Sequence, residues 1–214
     1  MKRIDSKDLR LYLVTDSSGL STEEFLQKTE SAPQGGATIV QIREKDKTTR
    51  QYMELAGKLH EITRKYNVPL IVDDRIDVAM AIGAEGVHLG QSDMPVDIAR
   101  NILGPDIIIG ATTKTVSQAL EAYDKGADYL GVGAIYPTTT KVKTVLTSVE
   151  TLKDICAAVP IPANAIGGLN KDNIGILKGT PIAGICVVSA IMKSEDPQKA
   201  AADLRSAFDE LEET

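Results

Sequence analysis

Short apolar runs and amphipathic stretches alternate along almost the whole chain, and this alternation most constrains what it can fold into. Apolar runs at 11–15, 38–42, 70–72, 86–89, 107–110, 129–132, 163–166 and 184–188 have the length and bounding turn residues of buried strands. Between and after them, helical patterns occupy 22–33, 48–66, 76–82, 95–103, 116–124, 148–159, 171–177 and 197–211. Thr48-Thr49-Arg50-Gln51 opens the second helix with the spacing of a capping box. Pro95 and Pro197 suit the first turns of theirs, where no amide donor is needed. Gly35-Gly36-Ala37, Gly83-Ala84-Glu85-Gly86 and Gly126-Ala127-Asp128 each join a helix to the next strand, with glycine supplying the left-handed cap. Eight such units in 214 residues point to one domain, 1–214, folded as a closed (β/α)8 barrel. An open doubly wound sheet would carry a Gly-rich fingerprint after its first strand, and Leu13-Val14-Thr15-Asp16-Ser17 has none.

Composition narrows the function. Net charge is -6, pI is near 5.0, and aromatic residues are 4% with no Trp, which argues against a nucleic-acid partner. A local basic site for small anions remains compatible with that balance. No apolar run approaches the ~20 residues of a membrane span, and no signal-peptide pattern follows the N-terminus. Cys156 and Cys186 lack a CxxC or His neighbour and read as inert core thiols, which fits a reducing cytoplasm. Nothing in the pattern decides whether the chain forms a homo-oligomer.

In a barrel of this class the reactive face is the one at the strand C-termini. The second strand runs into Gln41-Ile42-Arg43-Glu44-Lys45. Residues two apart in a strand project alike, so Gln41, Arg43 and Lys45 form a fork suited to an anion. A solvated strand end would look similar in isolation. The third and fourth strands end in Asp73-Asp74 and His88-Leu89-Gly90-Gln91-Ser92-Asp93. Carboxylates on adjacent strand ends, here Asp74 and Asp93, can share Mg2+, a hard cation that keeps water and bridges phosphate oxygens. Asp93 could instead cap the following helix, and His88 reads as a satisfied core histidine.

Further round the barrel, Thr112 is a candidate ligand contact after the fifth strand, while Thr115 suits a helix cap. The sixth strand leads into a long loop in which Thr138, Thr140 and Lys141 form a candidate clamp on phosphate. After the seventh strand, Gly167-Gly168 lets backbone amides approach a ligand closely, and Val188-Ser189 supplies the matching loop after the eighth. The inventory is a phosphate cradle after strands seven and eight, and a separate Mg2+ and cation site around strands two to four and six. Two small anionic substrates, one of them a diphosphate, fit that layout. No serine beside a histidine and no Schiff-base lysine offers an activated nucleophile.

Taken together, these blocks resemble the thiamine-phosphate synthase (thiamine-phosphate pyrophosphorylase) family. They are Val40-Gln41-Ile42-Arg43-Glu44-Lys45, Asp74-Arg75-Ile76-Asp77-Val78-Ala79, Gly86-Val87-His88-Leu89-Gly90-Gln91-Ser92-Asp93, Gly126-Ala127-Asp128-Tyr129, Tyr136-Pro137-Thr138-Thr139-Thr140-Lys141 and Ala165-Ile166-Gly167-Gly168. The resemblance implies a (β/α)8 barrel that joins a hydroxymethylpyrimidine diphosphate to a thiazole phosphate, giving thiamine phosphate and diphosphate. It implies further that Gln41, Arg43, Lys45 and Asp73 meet the pyrimidine diphosphate and that Asp74 and Asp93 ligate Mg2+. Thr112 would touch the pyrimidine side, and Thr138, Thr140 and Lys141 the phosphates. Gly167, Gly168, Val188 and Ser189 would hold the thiazole phosphate, with Arg43, Lys45 and Lys141 serving the leaving group. The sequence departs from the family pattern at Asp73, commonly Asn, and at Thr113-Lys114, usually Ala-His. It departs again at Lys143, often acidic, and at Pro162-Ala163-Asn164, usually apolar. A thiazole tautomerase of the same superfamily, or a non-catalytic phosphate-binding barrel, would keep the fold without this chemistry.

Overall fold

The computed structural model describes residues 4–137 and 145–212. Eight parallel strands pair in sequence order and close: β1 (Leu11–Val14), β2 (Ile39–Ile42), β3 (Leu70–Asp73), β4 (Gly86–Leu89), β5 (Ile108–Thr113), β6 (Tyr129–Gly133), β7 (Ala163–Ile166) and β8 (Gly184–Val187). Helices α1 (Thr22–Gln34), α2 (Thr49–Lys65), α3 (Ile76–Ile82), α4 (Val96–Leu103), α5 (Val116–Asp124), α6 (Val149–Ala158), α7 (Ser189–Met192) and α8 (Pro197–Glu212) complete the (β/α)8 barrel expected from the alternation. Among the described residues no helix is long and apolar enough to cross a membrane.

The strands are short runs buried on both faces, as a parallel sheet clothed in helices requires. Leu11, Leu13, Val40, Ile42, Leu70 and Val72 face the helices and belong to one apolar cluster. Their alternates turn inward. Ile39, Ile71, Ile108 and Leu9 belong to a second cluster that fills the barrel interior. Higher on the same inward faces stand Gln41, Asp73, His88 and Thr112, so the interior grades from apolar filling to a polar mouth. A register slip of one residue would bury the wrong set. Burying each large aliphatic side chain contributes roughly 1.5–3 kcal/mol, so the inward pattern is strongly specified.

Local chemistry starts the helices where the sequence says it should. Thr48 and Gln51 form the expected capping box at α2, each side chain accepting the other's amide. Ser21 and Glu24 do the same at α1. Thr115 caps α5 by accepting from the Gln118 amide at 3.2 Å. Gly83 ends α3 in the left-handed conformation with φ of 69°.

Several boundaries move. α4 starts at Val96, so Pro95 is its cap residue rather than its first turn. β5 continues to Thr113 and β3 to Asp73, which places Thr112 and Asp73 on strands. The helix expected over 171–177 shrinks to a 3-10 turn, Ile174–Leu177. There Asn170 Oδ1 accepts the Asp172 amide and Asn173 Oδ1 the Asn170 amide, a reciprocal cap of the kind that opens a helix, but Gly175 lies inside the segment and the chain turns extended at Lys178. Two short elements are not evident in the sequence pattern, the 3-10 turn Ser6–Leu9 below the barrel and α7 after β8.

Candidate active site

A cavity of about 160 Å³ opens at the C-terminal ends of the strands. Its wall includes Gln41, Arg43, Asp73 and Thr112 on one side and Gly167, Gly168, Val188 and Ser189 on the other. Two sets of residues selected separately in the sequence thus face one space. Lys45 does not line it. It belongs to an adjoining polar groove of about 610 Å³, which shares Arg43 with the cavity. Thr138, Thr140 and Lys141 lie outside the described residues, as does Lys143.

The fork does not point freely outward. β2 ends at Ile42, and Gln41 turns into the barrel where it is buried. Its amide Nε2 donates to Asp73 Oδ1 at 2.6 Å. Arg43 Nε and Lys45 Nζ lie 3.6 and 3.2 Å from Asp73 Oδ2. All three fork residues therefore converge on one carboxylate. Lys45 also pairs with Asp74. Asp74 carries φ of 59°, a left-handed conformation that Asp tolerates better than most residues, and its amide donates to the His88 carbonyl at 2.9 Å. That turn at the end of β3 carries Asp74 to Lys45.

The expected pair Asp74 and Asp93 is engaged separately. Asp93 Oδ2 accepts the Gly90 amide at 2.7 Å and the Asp93 amide returns to the Gly90 carbonyl, closing a tight turn after β4. Asp93 is thus not the side-chain cap of α4, which has none. Among the described residues no three His, Cys, Asp or Glu side chains cluster as a ready metal cage. The donor type of the pair still fits a hard cation, because Asp74 already holds the Lys45 ammonium and Asp93 brings a second carboxylate oxygen donor. Mg2+ needs few protein carboxylates when substrate oxygens and water complete its shell.

Beneath the fork runs a buried hydrogen-bond chain that the sequence does not announce. Tyr12 OH donates to Gln41 Oε1 at 2.8 Å and meets Tyr129 OH at 2.7 Å. Tyr129 OH meets His88 Nδ1 at 3.1 Å, and His88 Nε2 meets Thr112 Oγ1 at 2.9 Å. The donor directions follow from Asp73. A carboxylate only accepts, so Gln41 offers it the NH2 and keeps its carbonyl for Tyr12. Tyr12 has then used its proton, so Tyr129 donates to Tyr12 and accepts from His88 Nδ1. A neutral His88 therefore carries its proton on Nδ1 and accepts from the Thr112 hydroxyl. His88 is satisfied, as expected, but it is half-buried in the cavity wall rather than enclosed in the core. Its lone pair is taken, which makes it a poor general base.

Burial pushes the Tyr12 and Tyr129 hydroxyls well above the usual phenol range, so both stay protonated. Burial likewise raises the Cys186 thiol on the cavity floor, and pushes Cys156 up to about 11. Both cysteines are free. Inward alternation was the available signal for Tyr12 and Tyr129, since each occupies an inward strand position. Lys114 also lines the cavity, and its Nζ donates to the Val145 carbonyl at 3.3 Å.

Space around the ligand wall is set by glycine. Gly167 and Gly168 have φ of 110° and 65°, where a side chain strains the backbone. A Cβ on Gly168 would also stand 2.7 Å from Tyr136 Cβ and 2.8 Å from the Pro137 carbonyl. Inside the barrel, Gly110 leaves room for the Tyr129 ring, which a Cβ would meet at 2.1 Å.

Comparison with known proteins places the chain in a family. Residues 11–191 match a family model described as thiamine monophosphate synthase. The chain is 55% identical over 188 residues to thiamine-phosphate synthase 2 of Streptococcus pneumoniae, covering 88% of this chain and 90% of the relative. It is 48% identical over 203 residues to thiamine-phosphate synthase of Clostridium tetani, covering 95% and 97%. Among solved structures, a thiamine phosphate pyrophosphorylase from Pyrococcus furiosus superposes with a TM-score of 0.88 at 41% identity, covering 96% and 98%. A 3-hexulose-6-phosphate synthase, at 17% identity and a TM-score of 0.69, shares the fold alone.

Proposed function

The chain belongs to the thiamine monophosphate synthase family, and from that premise we propose how its barrel mouth performs the transfer. The activity is that of a thiamine-phosphate synthase, a transferase joining a hydroxymethylpyrimidine diphosphate to a thiazole phosphate with release of diphosphate. The domain is 1–214, the reaction occurs at the strand C-termini, and the two unpaired cysteines suit a cytoplasmic location.

The observation that carries the site assignment is the convergence of Gln41, Arg43 and Lys45 on Asp73, across the cavity from Gly167 and Gly168. Arg43 and Lys45 take the departing diphosphate, with Lys141 from the segment after the sixth strand. Asp74 and Asp93 would hold Mg2+, which would supply charge neutralisation for the leaving group. Gly167, Gly168, Val188 and Ser189 hold the thiazole phosphate. Thr112, fixed by His88, meets the pyrimidine. Leaving-group departure with the electron-rich pyrimidine stabilising a methylene cation, then attack by the thiazole nitrogen, needs charge stabilisation and alignment rather than a strong base. The engaged lone pair of His88 is compatible with that economy.

The test incubates both substrates with Mg2+ and follows thiamine phosphate. The native chain forms product, chelation of Mg2+ stops it, and restoring the metal recovers it. Lys45→Ala and Asp93→Ala lower turnover by about 10²–10³, the loss typical of removing one preorganised charge-stabilising group. Melting curves close to native establish that these variants remain folded. Full turnover in both would sink the assignment.

A further inference from the structure

The three side chains assigned to the diphosphate already share an anion supplied by the chain. Gln41 donates to one oxygen of Asp73, while Arg43 and Lys45 address the other. The Asp73 side chain is only 10% exposed and starts from the last residue of β3. It cannot withdraw from the fork without breaking the Gln41 bond, and Gln41 is pinned in turn by Tyr12. Lys45, at 45% exposure on a flexible stem, is the mobile partner. Arg43 and Lys45 against Asp73 and Asp74 make a cluster of two positive and two negative charges, with no net attraction for an anion.

We propose that Asp73 is a resident anion of the fork, which a diphosphate must displace from Arg43 and Lys45 before it can bind. The inference rests on reading the fork as the diphosphate grip. Two consequences follow from the geometry. The fork is held assembled and charge-balanced between turnovers, since its cations always face a carboxylate. Diphosphate retention is also weakened, because the fixed carboxylate repels phosphate oxygens and reclaims the cations when they leave. Asp73 is thus an affinity-setting residue whose charge opposes product retention. A residue that merely positioned the cations would have the opposite effect on binding when neutralised.

Titration calorimetry with inorganic diphosphate, at low salt and without divalent metal, separates these roles. Asp73→Asn and the smaller Asp73→Ser are expected to bind diphosphate tenfold or more tighter than the native chain. Arg43→Ala and Lys45→Ala are expected to bind at least tenfold weaker. Unchanged or weaker binding by folded Asp73 variants overturns the proposal while leaving the fork assignment intact. Native-like binding by both Arg43→Ala and Lys45→Ala overturns the fork assignment instead. If neither Asp73 variant folds, carbon-13 carboxylate resonances of the native chain decide the matter. The Asp73 signal moves as diphosphate is added if the carboxylate is displaced, and a static signal at saturation refutes it.

Discussion

Replacing Tyr12 with Phe removes one oxygen from the centre of the buried chain, and its cost can be worked from the partners left behind. The hydroxyl sits 2.8 Å from Gln41 Oε1 and 2.7 Å from Tyr129 OH, with Tyr12 itself 2% exposed. In Tyr12→Phe the Gln41 carbonyl loses its donor and the Tyr129 hydroxyl loses its acceptor, both buried. Each such orphan costs about 1–3 kcal/mol, partly offset because the missing hydroxyl no longer needs desolvation, for a net of about 2–4 kcal/mol. For a chain of this size that lowers the melting temperature by roughly 4–16 °C. Differential scanning calorimetry measures it. The double variant Tyr12→Phe, Tyr129→Phe should lose less than the sum of the singles, because the second substitution removes a group already orphaned. Gln41 should also lose its fixed orientation, raising KM for the pyrimidine diphosphate more than it lowers kcat. A loss below about 0.5 kcal/mol, or strict additivity, would refute the ordered chain of donors.

Gly168→Ala places a Cβ 2.7 Å from Tyr136 Cβ at φ of 65°. Steady-state kinetics should show KM for the thiazole phosphate raised tenfold or more with KM for the pyrimidine diphosphate nearly unchanged; equal effects on both would contradict separate subsites. The thiols give a pH prediction. Burial favours the neutral form, raising Cys156 from 9.0 to about 11, so its contribution to stability is full below pH 9 and fades as pH rises towards 11. At pH 8, mass spectrometry should find both Cys156 and Cys186 unlabelled by iodoacetamide in the folded chain and labelled once unfolded. Rapid labelling of folded Cys186 would mean that the cavity floor is open to solvent.

Much of the barrel was legible because its signals are local. Capping at Thr48 and Thr115 and the turn at Gly83 depend on residues within a few positions, and the sequence located them. The helix expected at 171–177 shrank although Asn170 and Asn173 cap its start, since Gly175 lies inside it and the chain turns extended at Lys178. The fork was recognised as a motif, but the period-two argument for its direction stops with β2 at Ile42. Arg43 and Lys45 meet Gln41 because Asp73 gathers them, not because a strand continues.

By itself the sequence determined eight strands, the helices that follow seven of them, their order and the polar groups ending each strand. It did so because hydrophobic periodicity, caps and glycine turns are set by neighbours along the chain. Only the tertiary structure decided which of those groups meet. Asp73 lies 32 residues from Gln41, and Tyr129 lies 117 from Tyr12. Barrel closure and strand stagger bring them to one level, with β2 registered on β3 through Gln41 opposite Ile71 and Asp73 two residues higher. Charge balance in the fork and the direction of every proton in the buried chain depend on those cross-strand distances, which no local pattern encodes.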